Sequence, residues 1–426
     1  MRPLTSAAVA AVAATAFVAA SPAPPSQAGE AEPPHADRAA GPPFPGRAPS
    51  GPCALRTLSR NVSEGARTPN GYARSSGTVR AVTFFIDFPD APARISPSQR
   101  YAEFFPAVAQ HYRKSSYGRL DYRSTPVARW IRMSRPYRSY GIRRGAPFDP
   151  NRNDGYHALA REIVAATDAF VDFRRYDLIN VLASPEAGPP AIRDVRSVTF
   201  AGAPTGLDTR DGVPFRNVSF IWSRQTGDSP YRVLTHENAH SFGLPDLYDT
   251  GPGRAGRTPV GHWDPMDEDW GPSNDFLAWH KWKLGWLSPA QVRCLPRTGT
   301  RTVTLTPTSG PGGVKLAVVP LSRTRAITLE ARAPGPLDHA VCRPGVLVTT
   351  VASDLASGSG PVRVSDATPG SAGCYTKDPN VTPGLTDAPY RTGQRCSTAG
   401  VTVEVLGRTP SGAWRVSVTR GRDTGA

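Results

Sequence analysis

Lysine is scarce in this chain of 426 residues. It stands only at positions 114, 281, 283, 315 and 377, so nearly all of the positive charge is arginine. Beyond Ala20 no apolar run reaches the length of a membrane helix, which argues against any helical span in the mature chain. Five cysteines occur, at 53, 294, 342, 374 and 396, and their spacings exclude a C-x-x-C redox pair and a zinc ribbon. There is no internal repeat, and no acidic stretch has the spacing of an EF-hand loop.

The chain begins with the pattern of an export signal. Arg2 supplies a short positive region, Ala7 to Ala20 an apolar stretch of small residues, and Ser-Gln-Ala at 26–28 a small-x-small cleavage site. Residues 1–28 are therefore expected to be a signal peptide and the mature protein to be secreted, extracellular and monomeric. Residues 29–52 are rich in Pro, Ala and Gly, and 29–77 is expected to be a linker or pro-segment, with order starting near residue 78. In an exported chain the default for the cysteines is two disulfides in the C-terminal part. That leaves Cys53 either free, or capping a metal as a latency thiolate, or tied to the C-terminal region, the last being favoured.

The formal net charge is +15. Such a balance suits nucleic acid, anionic cell-wall polymers or acidic substrates. The densest stretch, RWIRMSRPYRSYGIRR at 129–144, carries no nucleic-acid-binding motif and reads as an arginine-biased solvated surface. No nucleic-acid partner is expected. Retention on anionic wall polymers is the electrostatic alternative, and salt should weaken it.

From residue 78 the hydrophobic pattern is that of an α+β unit reaching to about 290. TVRAVTFFIDFPD, RRYDLINVLAS (174–184) and NVSFIW (217–222) read as strands. SPSQRYAEFFPAVAQHYRKSSYG (96–118) reads as one helix capped by Ser96 or Ser98, with Phe104, Phe105, Val108 and Tyr112 on one face and Gly118 as its stop. GYHALAREIVAATDAF (155–170) reads as a second helix. SNDFLAWHKWKLGWL (273–287) reads as another, capped by Ser273 or Asn274 and ended by Gly285. From 291 to 422 the texture becomes all-β and sandwich-like, with RTVTLTP, VKLAVVPL, AITLEAR, GVLVTTV, VTVEVLG and AWRVSVTR between turn-forming stretches.

The most specific signal is THENAHSFGLPDLYD at 235–249. Ser229 and Pro230 suit a helix start, Gly243 its left-handed end and Pro245 a barrier to continuation. On such a helix His236 and His240 lie one above the other and can present two nitrogens to one ion. Glu237 projects beside them, placed to take a proton from a water that the metal activates for attack on a carbonyl. A chance H-E-x-x-H in a chain of this length has odds of roughly one in a hundred. The third ligand should follow the glycine turn, which favours Asp246; Asp249, Asp264 and Glu268 are the rivals. Met266 lies where a methionine turn could floor the metal, although a lone methionine is more often core filling. His262 and His280 read as packing or supporting residues. Asp87, Asp90 and the acidic cluster at 264–269 are candidates for a structural calcium.

The sequence resembles the immune-inhibitor-A-like family of secreted bacterial zinc metallopeptidases. The residues that carry the resemblance are VTFFIDFPD (82–90), SSYGRL (115–120), HENAHSFGLPDLYD (236–249), VGHWDPMD (260–267) and WHKWKLGWL (279–287), which span most of 80–290. It departs from the expected pattern after Met266, where Asp267, Glu268 and Asp269 replace a small residue. The resemblance implies a metzincin-like catalytic domain over 78–290 and a β-domain over 291–422. It also implies one catalytic zinc on His236, His240 and Asp246, with Glu237 as general base. The activity expected is zinc-dependent hydrolysis of peptide bonds in protein or peptide substrates. The competing expectations are a non-catalytic surface or carbohydrate-binding protein that works through its β-domain, and a zinc hydrolase acting on a non-peptide amide.

Overall fold

The β-branched and aromatic run at 78–87 forms strand β1 (Gly77–Asp87), whose alternating side chains feed two separate cores. The computed structural model describes residues 48–57, 62–188, 196–203, 205–225, 227–254, 256–272, 274–374 and 381–421. The expected signal peptide (1–28), residues 29–47 and 58–61 of the expected linker and the expected cap Ser273 lie outside them.

Around β1 are α1 (Pro97–Ala102), α2 (Ala107–Ser115), β2 (Leu120–Arg132), α3 (Gly155–Thr167), β3 (Leu178–Ala183), β4 (Val198–Phe200), β5 (Val218–Ile221), α4 (Arg232–Ser241) and α5 (Ala278–Lys283). The strands form one sheet in the order β2-β1-β3-β5-β4. It is parallel except for the edge strand β4, which runs antiparallel to β5. Phe84, Ile86, Val181 and Phe220 pack on one face with Leu159 and Ile163 of α3. Phe85, Leu182 and Ile221 pack on the other with Val108 and Tyr112 of α2 and Val233 and Leu234 of α4. Each large apolar side chain buried in this way contributes about 1.5–3 kcal/mol.

The β-rich part contains β6 (Val292–Cys294), β7 (Gly299–Leu305), β8 (Leu316–Pro320), β9 (Arg325–Arg332), β10 (Gly345–Ala352), β11 (Val362–Ser365), β12 (Arg395–Thr398), β13 (Val401–Arg408) and β14 (Trp414–Arg420). Two sheets result, ordered β11-β10-β9-β8-β6 and β12-β13-β14-β7. Inward residues of both, such as Leu329 and Val348 from one and Val403 and Val416 from the other, share one core. The fold is thus mixed α and β, with few helices and a β-rich C-terminal part. The expected boundary at 290 is not a break in packing: Met266, Trp279 and Phe276 belong to the same cluster as Leu316, Val318 and Leu347. Among the described residues no helix is long and apolar enough to cross a membrane.

Several expectations need correction. The helix expected over 96–118 is two helices, because Pro106 lacks the N–H that would continue the first. Ser96 does cap α1, in a reciprocal capping box with Gln99. The helix expected from 273 begins only at Ala278. Ahead of it, carboxylates take the backbone N–H groups: Asp338 accepts from Asp275, Asp264 from Leu277 and Glu330 from Ala278. Part of the arginine-rich stretch is strand β2; Arg129, Arg132, Arg138, Arg143 and Arg144 are exposed, as a solvated surface requires, and three of the stretch's guanidinium groups also have partners within the molecule. Arg132 pairs with Asp87 at 2.6 Å, Arg129 covers the Phe170 ring and Arg135 the Tyr140 ring.

Order also begins earlier than residue 78. Cys53, Leu55, Glu64 and Ala66 are buried. Glu64 accepts hydrogen bonds from Trp279 Nε1 (2.9 Å) and from His280 Nε2 (3.0 Å), whose Nδ1 lies 2.7 Å from Asp264. The two disulfides are Cys53–Cys294 and Cys342–Cys374. Only the second lies wholly within the C-terminal part, and the free thiol is the buried Cys396. Cys53 therefore has no thiolate to cap a metal.

Candidate metal centre

Helix α4 is held against the sheet by a buried polar network. Asn238 Nδ2 donates to Asn180 Oδ1 (2.9 Å) and to Ser219 Oγ (3.0 Å). Tyr122 donates to Asn238 Oδ1 at 2.6 Å, and Asn180 donates to Tyr122 and Thr83. A fully satisfied buried network of this kind fixes orientation more sharply than apolar packing does. It fixes the register of α4, and with it the direction of His236, Glu237 and His240.

The helix starts at Arg232, two residues after Pro230, and Ser229 makes no side-chain cap. It stops at Gly243, whose φ of +90° lies in the left-handed region. A Cβ there would meet Thr68 at 2.3 Å, so the glycine is required sterically as well as conformationally. The turn brings the Leu244 carbonyl to 2.8 Å from His240 Nδ1. His236 Nδ1 lies 2.8 Å from the Pro265 carbonyl. A carbonyl oxygen can only accept, so each Nδ1 carries a hydrogen and Nε2 is the nitrogen each ring can offer to a metal.

Three atoms converge beyond the turn. His236 Nε2 and His240 Nε2 are 3.1 Å apart, and Asp246 Oδ1 is 3.3 and 3.2 Å from them. Ligands at about 2.0–2.1 Å from one tetrahedral ion would stand about 3.3 Å from each other. Asp246 Oδ1 is buried and accepts no well-formed hydrogen bond, which leaves it available to a cation. Its other oxygen accepts from Ser357 Oγ at 2.8 Å, and Ser357 Oγ accepts from the Asp246 N–H at 2.9 Å. Among the described residues these three form the group able to hold a metal ion.

The two imidazoles and the carboxylate shift one another's protonation. Burial opposes charge on His236, but the close polar contact with Asp246 and the charges of Asp269, Glu237 and Asp246 outweigh it and lift the imidazole to about 10. His240 is raised against its burial chiefly by Asp246. Burial would raise Asp246, yet the two imidazoles hold it well below the usual carboxylate range. The triangle therefore favours positive charge at its centre.

Glu237 lines the same cleft, of about 230 Å³, with His236, His240, Asp246, Thr199 and Tyr248. Burial raises its carboxyl against the pull of His236 and His240. Thr199 of β4 donates to Glu237 Oε2 at 2.8 Å, which ties the sheet edge to the helix. Met266 is fully buried, and its carbonyl accepts from the Leu247 N–H at 2.9 Å, next to the Asp246 ligand.

The rival ligands are engaged elsewhere. Asp249 faces Arg254 and Arg363, Asp264 takes His280 and two backbone N–H groups, and Glu268 accepts from Thr382. His262 is buried and lies outside the ligand triangle. Asp87 is bound by Arg132 and the Ala93 N–H, and Asp90 accepts from the Tyr137 N–H.

Sequence reading did not find Thr199, Asn238, Tyr248 or Ser357. Tyr248 had a signal, because in extended chain it points to the same side as Asp246. Its ring lies nearly parallel to that of His236, at 6.4 Å between centroids. Ser357 comes from the β-rich part and left no local trace. No protein-family model matches the chain, and no curated protein matches its sequence.

Proposed function

We propose that this protein is an exported zinc-dependent endopeptidase with a metzincin-like catalytic unit, related to the immune-inhibitor-A-like peptidases. The observation that carries this reading is the triangle of His236 Nε2, His240 Nε2 and Asp246 Oδ1 with Glu237 in the same cleft. Two imidazoles and one carboxylate are the donor set of a catalytic zinc that keeps an open position, whereas structural zinc sites are closed by four protein ligands. Zinc held there supplies Lewis acidity, lowering the pKa of a water toward about 7 and polarising the carbonyl under attack.

The chain's own residues perform the remaining work. Glu237 accepts the proton of the attacking water on its carboxylate and returns it to the leaving amine nitrogen. The carbonyls of Pro265 and Leu244 hold the two imidazoles in the tautomer that leaves Nε2 free. Ser357 orients Asp246. Strand β4 is an open sheet edge beside the cleft, and an extended peptide can add to it through main-chain hydrogen bonds. Thr199, which reaches Glu237 from that strand, couples the bound peptide to the base. The two disulfides suit an oxidising, extracellular setting.

The test is metal content and casein cleavage for the purified protein beside its Glu237→Ala variant. The reading expects one zinc per chain in both and cleavage only in the first. No zinc in the unaltered protein refutes the metal site. Zinc without cleavage in either refutes the peptidase and favours a binding role for the β-rich part.

A further inference from the structure

A second cleft, of about 360 Å³, adjoins the first, and Tyr72 lines both. The wall between them is tight. A Cβ on Gly71 would meet the Gly202 carbonyl oxygen, and one on Gly202 would meet the Tyr72 ring. Ala201, just after β4, lines the first cleft; the next residue, Gly202, donates its N–H to Asn217 Oδ1, and Asn217 lines the second. The second cleft therefore lies where the open edge of β4 leads.

Its rim is cationic. Arg74, Arg174 and Arg216 line it, against a single lining carboxylate, Asp177. That carboxylate is already occupied, by Arg74 at 3.2 Å and by the Arg80 N–H at 2.9 Å. Arg174 is paired with the neighbouring Asp172. Arg216 is exposed and makes no hydrogen bond or ion pair among the described residues. Phe173, Leu178 and Val213 are among its apolar lining residues. A guanidinium without a partner, in a cleft lined by two others, suits a carboxylate.

We propose that this cleft is a specificity subsite for an acidic side chain, Asp or Glu, of an extended peptide lying along β4, with Arg216 as its principal contact. This rests on the peptidase reading for its purpose but not for its test. The net charge of +15 adds long-range attraction for acidic chains, and Arg216 converts it into a position along the peptide.

The experiment reads binding, so it does not depend on turnover. Fluorescein-labelled decapeptides of Gly, Ala and Gln, neutral or carrying Glu-Glu near one end or the other, are titrated into the Glu237→Ala protein. Binding about tenfold tighter is expected for one of the two acidic peptides over the neutral one at about 0.05 M salt, shrinking at about 0.5 M. Arg216→Glu should abolish that preference. Arg415→Glu, an equal charge change on the exposed side of β14, should leave it. Equal loss in both variants assigns the preference to net charge and overturns the proposal, as does equal binding of all three peptides. If the subsite binds as expected but the unaltered protein cleaves neither these peptides nor casein, the peptidase reading fails and the anion-binding cleft stands.

Discussion

Replacing Glu64 by leucine tests whether residues upstream of 78 belong to the folded unit. Glu64 and His280 are both fully buried, and their atoms are 3.0 Å apart. The Glu64→Leu change leaves the Trp279 N–H without its acceptor and takes from His280 one of its two carboxylates. Breaking a buried pair by removing one partner costs about 3–5 kcal/mol. With a urea dependence of about 3 kcal/mol per molar, the unfolding midpoint should fall by about 1–1.7 M.

The pH dependence sharpens this test. Burial alone would discharge His280, but Asp264 and Glu64 outweigh it and lift the imidazole to about 10. That is above the value of about 6.5 in the unfolded chain. The stabilisation is therefore complete below about pH 6.5 and is lost as pH rises toward 10. The gap between the unaltered protein and Glu64→Leu should be widest near pH 6 and should narrow by about pH 9.5. Urea unfolding followed by tryptophan fluorescence at several pH values measures both quantities. A gap below about 1 kcal/mol at pH 6, or one that does not change with pH, would refute the reasoning.

Other residues carry tests of their own. Ser357→Ala removes the hydroxyl that orients Asp246 and should weaken zinc binding about 10–100-fold, measured by competition with a chromophoric chelator; an unchanged affinity would dismiss that role. Gly243→Ala forces a side chain into the left-handed region and against Thr68, for about 2–4 kcal/mol, and a melting temperature like that of the parent would contradict the packing. Intact-mass analysis after alkylation without reductant should find no adduct on the folded protein and one, at Cys396, after denaturation. A second adduct would contradict the pairing of Cys53 with Cys294 or of Cys342 with Cys374.

What was legible in the sequence follows from how local its cause is. Strands β1 and β3 show continuous β-branched and aromatic runs because both their faces are buried. The C-terminal strands β13 and β14 show alternation because one face looks into the shared core. His236, Glu237, His240 and Asp246 could be picked out because one helix and one glycine turn bring them together. Strand β2 was missed because much of it is exposed and arginine-rich, and its pairing to β1 is a long-range event. The false start of α5 has a similar origin: Asp338, Asp264 and Glu330, all distant along the chain, satisfy the N–H groups that a longer helix would have used. Cysteine pairing was equally out of reach, because it depends on which loops the fold brings together: Cys53, Cys342 and Cys374 all lie outside strands and helices.

The long-range contacts also bear on which part of the protein acts. The loop at 246–250, which carries the candidate ligand Asp246, is not held by its own half alone. Gly358 donates its N–H to the Asp246 carbonyl at 3.1 Å, Thr250 donates to the Gly358 carbonyl, and Ser357 holds the Asp246 side chain. From the other end of the chain, Thr68 packs against Gly243, and Val62 and Tyr72 line the cleft. A β-rich part serving only as a separate binding module would have no reason to contribute Ser357 to the orientation of Asp246. An upstream segment meant for removal would have no reason to bury Glu64 between Trp279 and His280. Both contributions make sense if the β-rich part and the residues from Cys53 onward help to build the candidate metal site, so that its geometry depends on the whole folded unit.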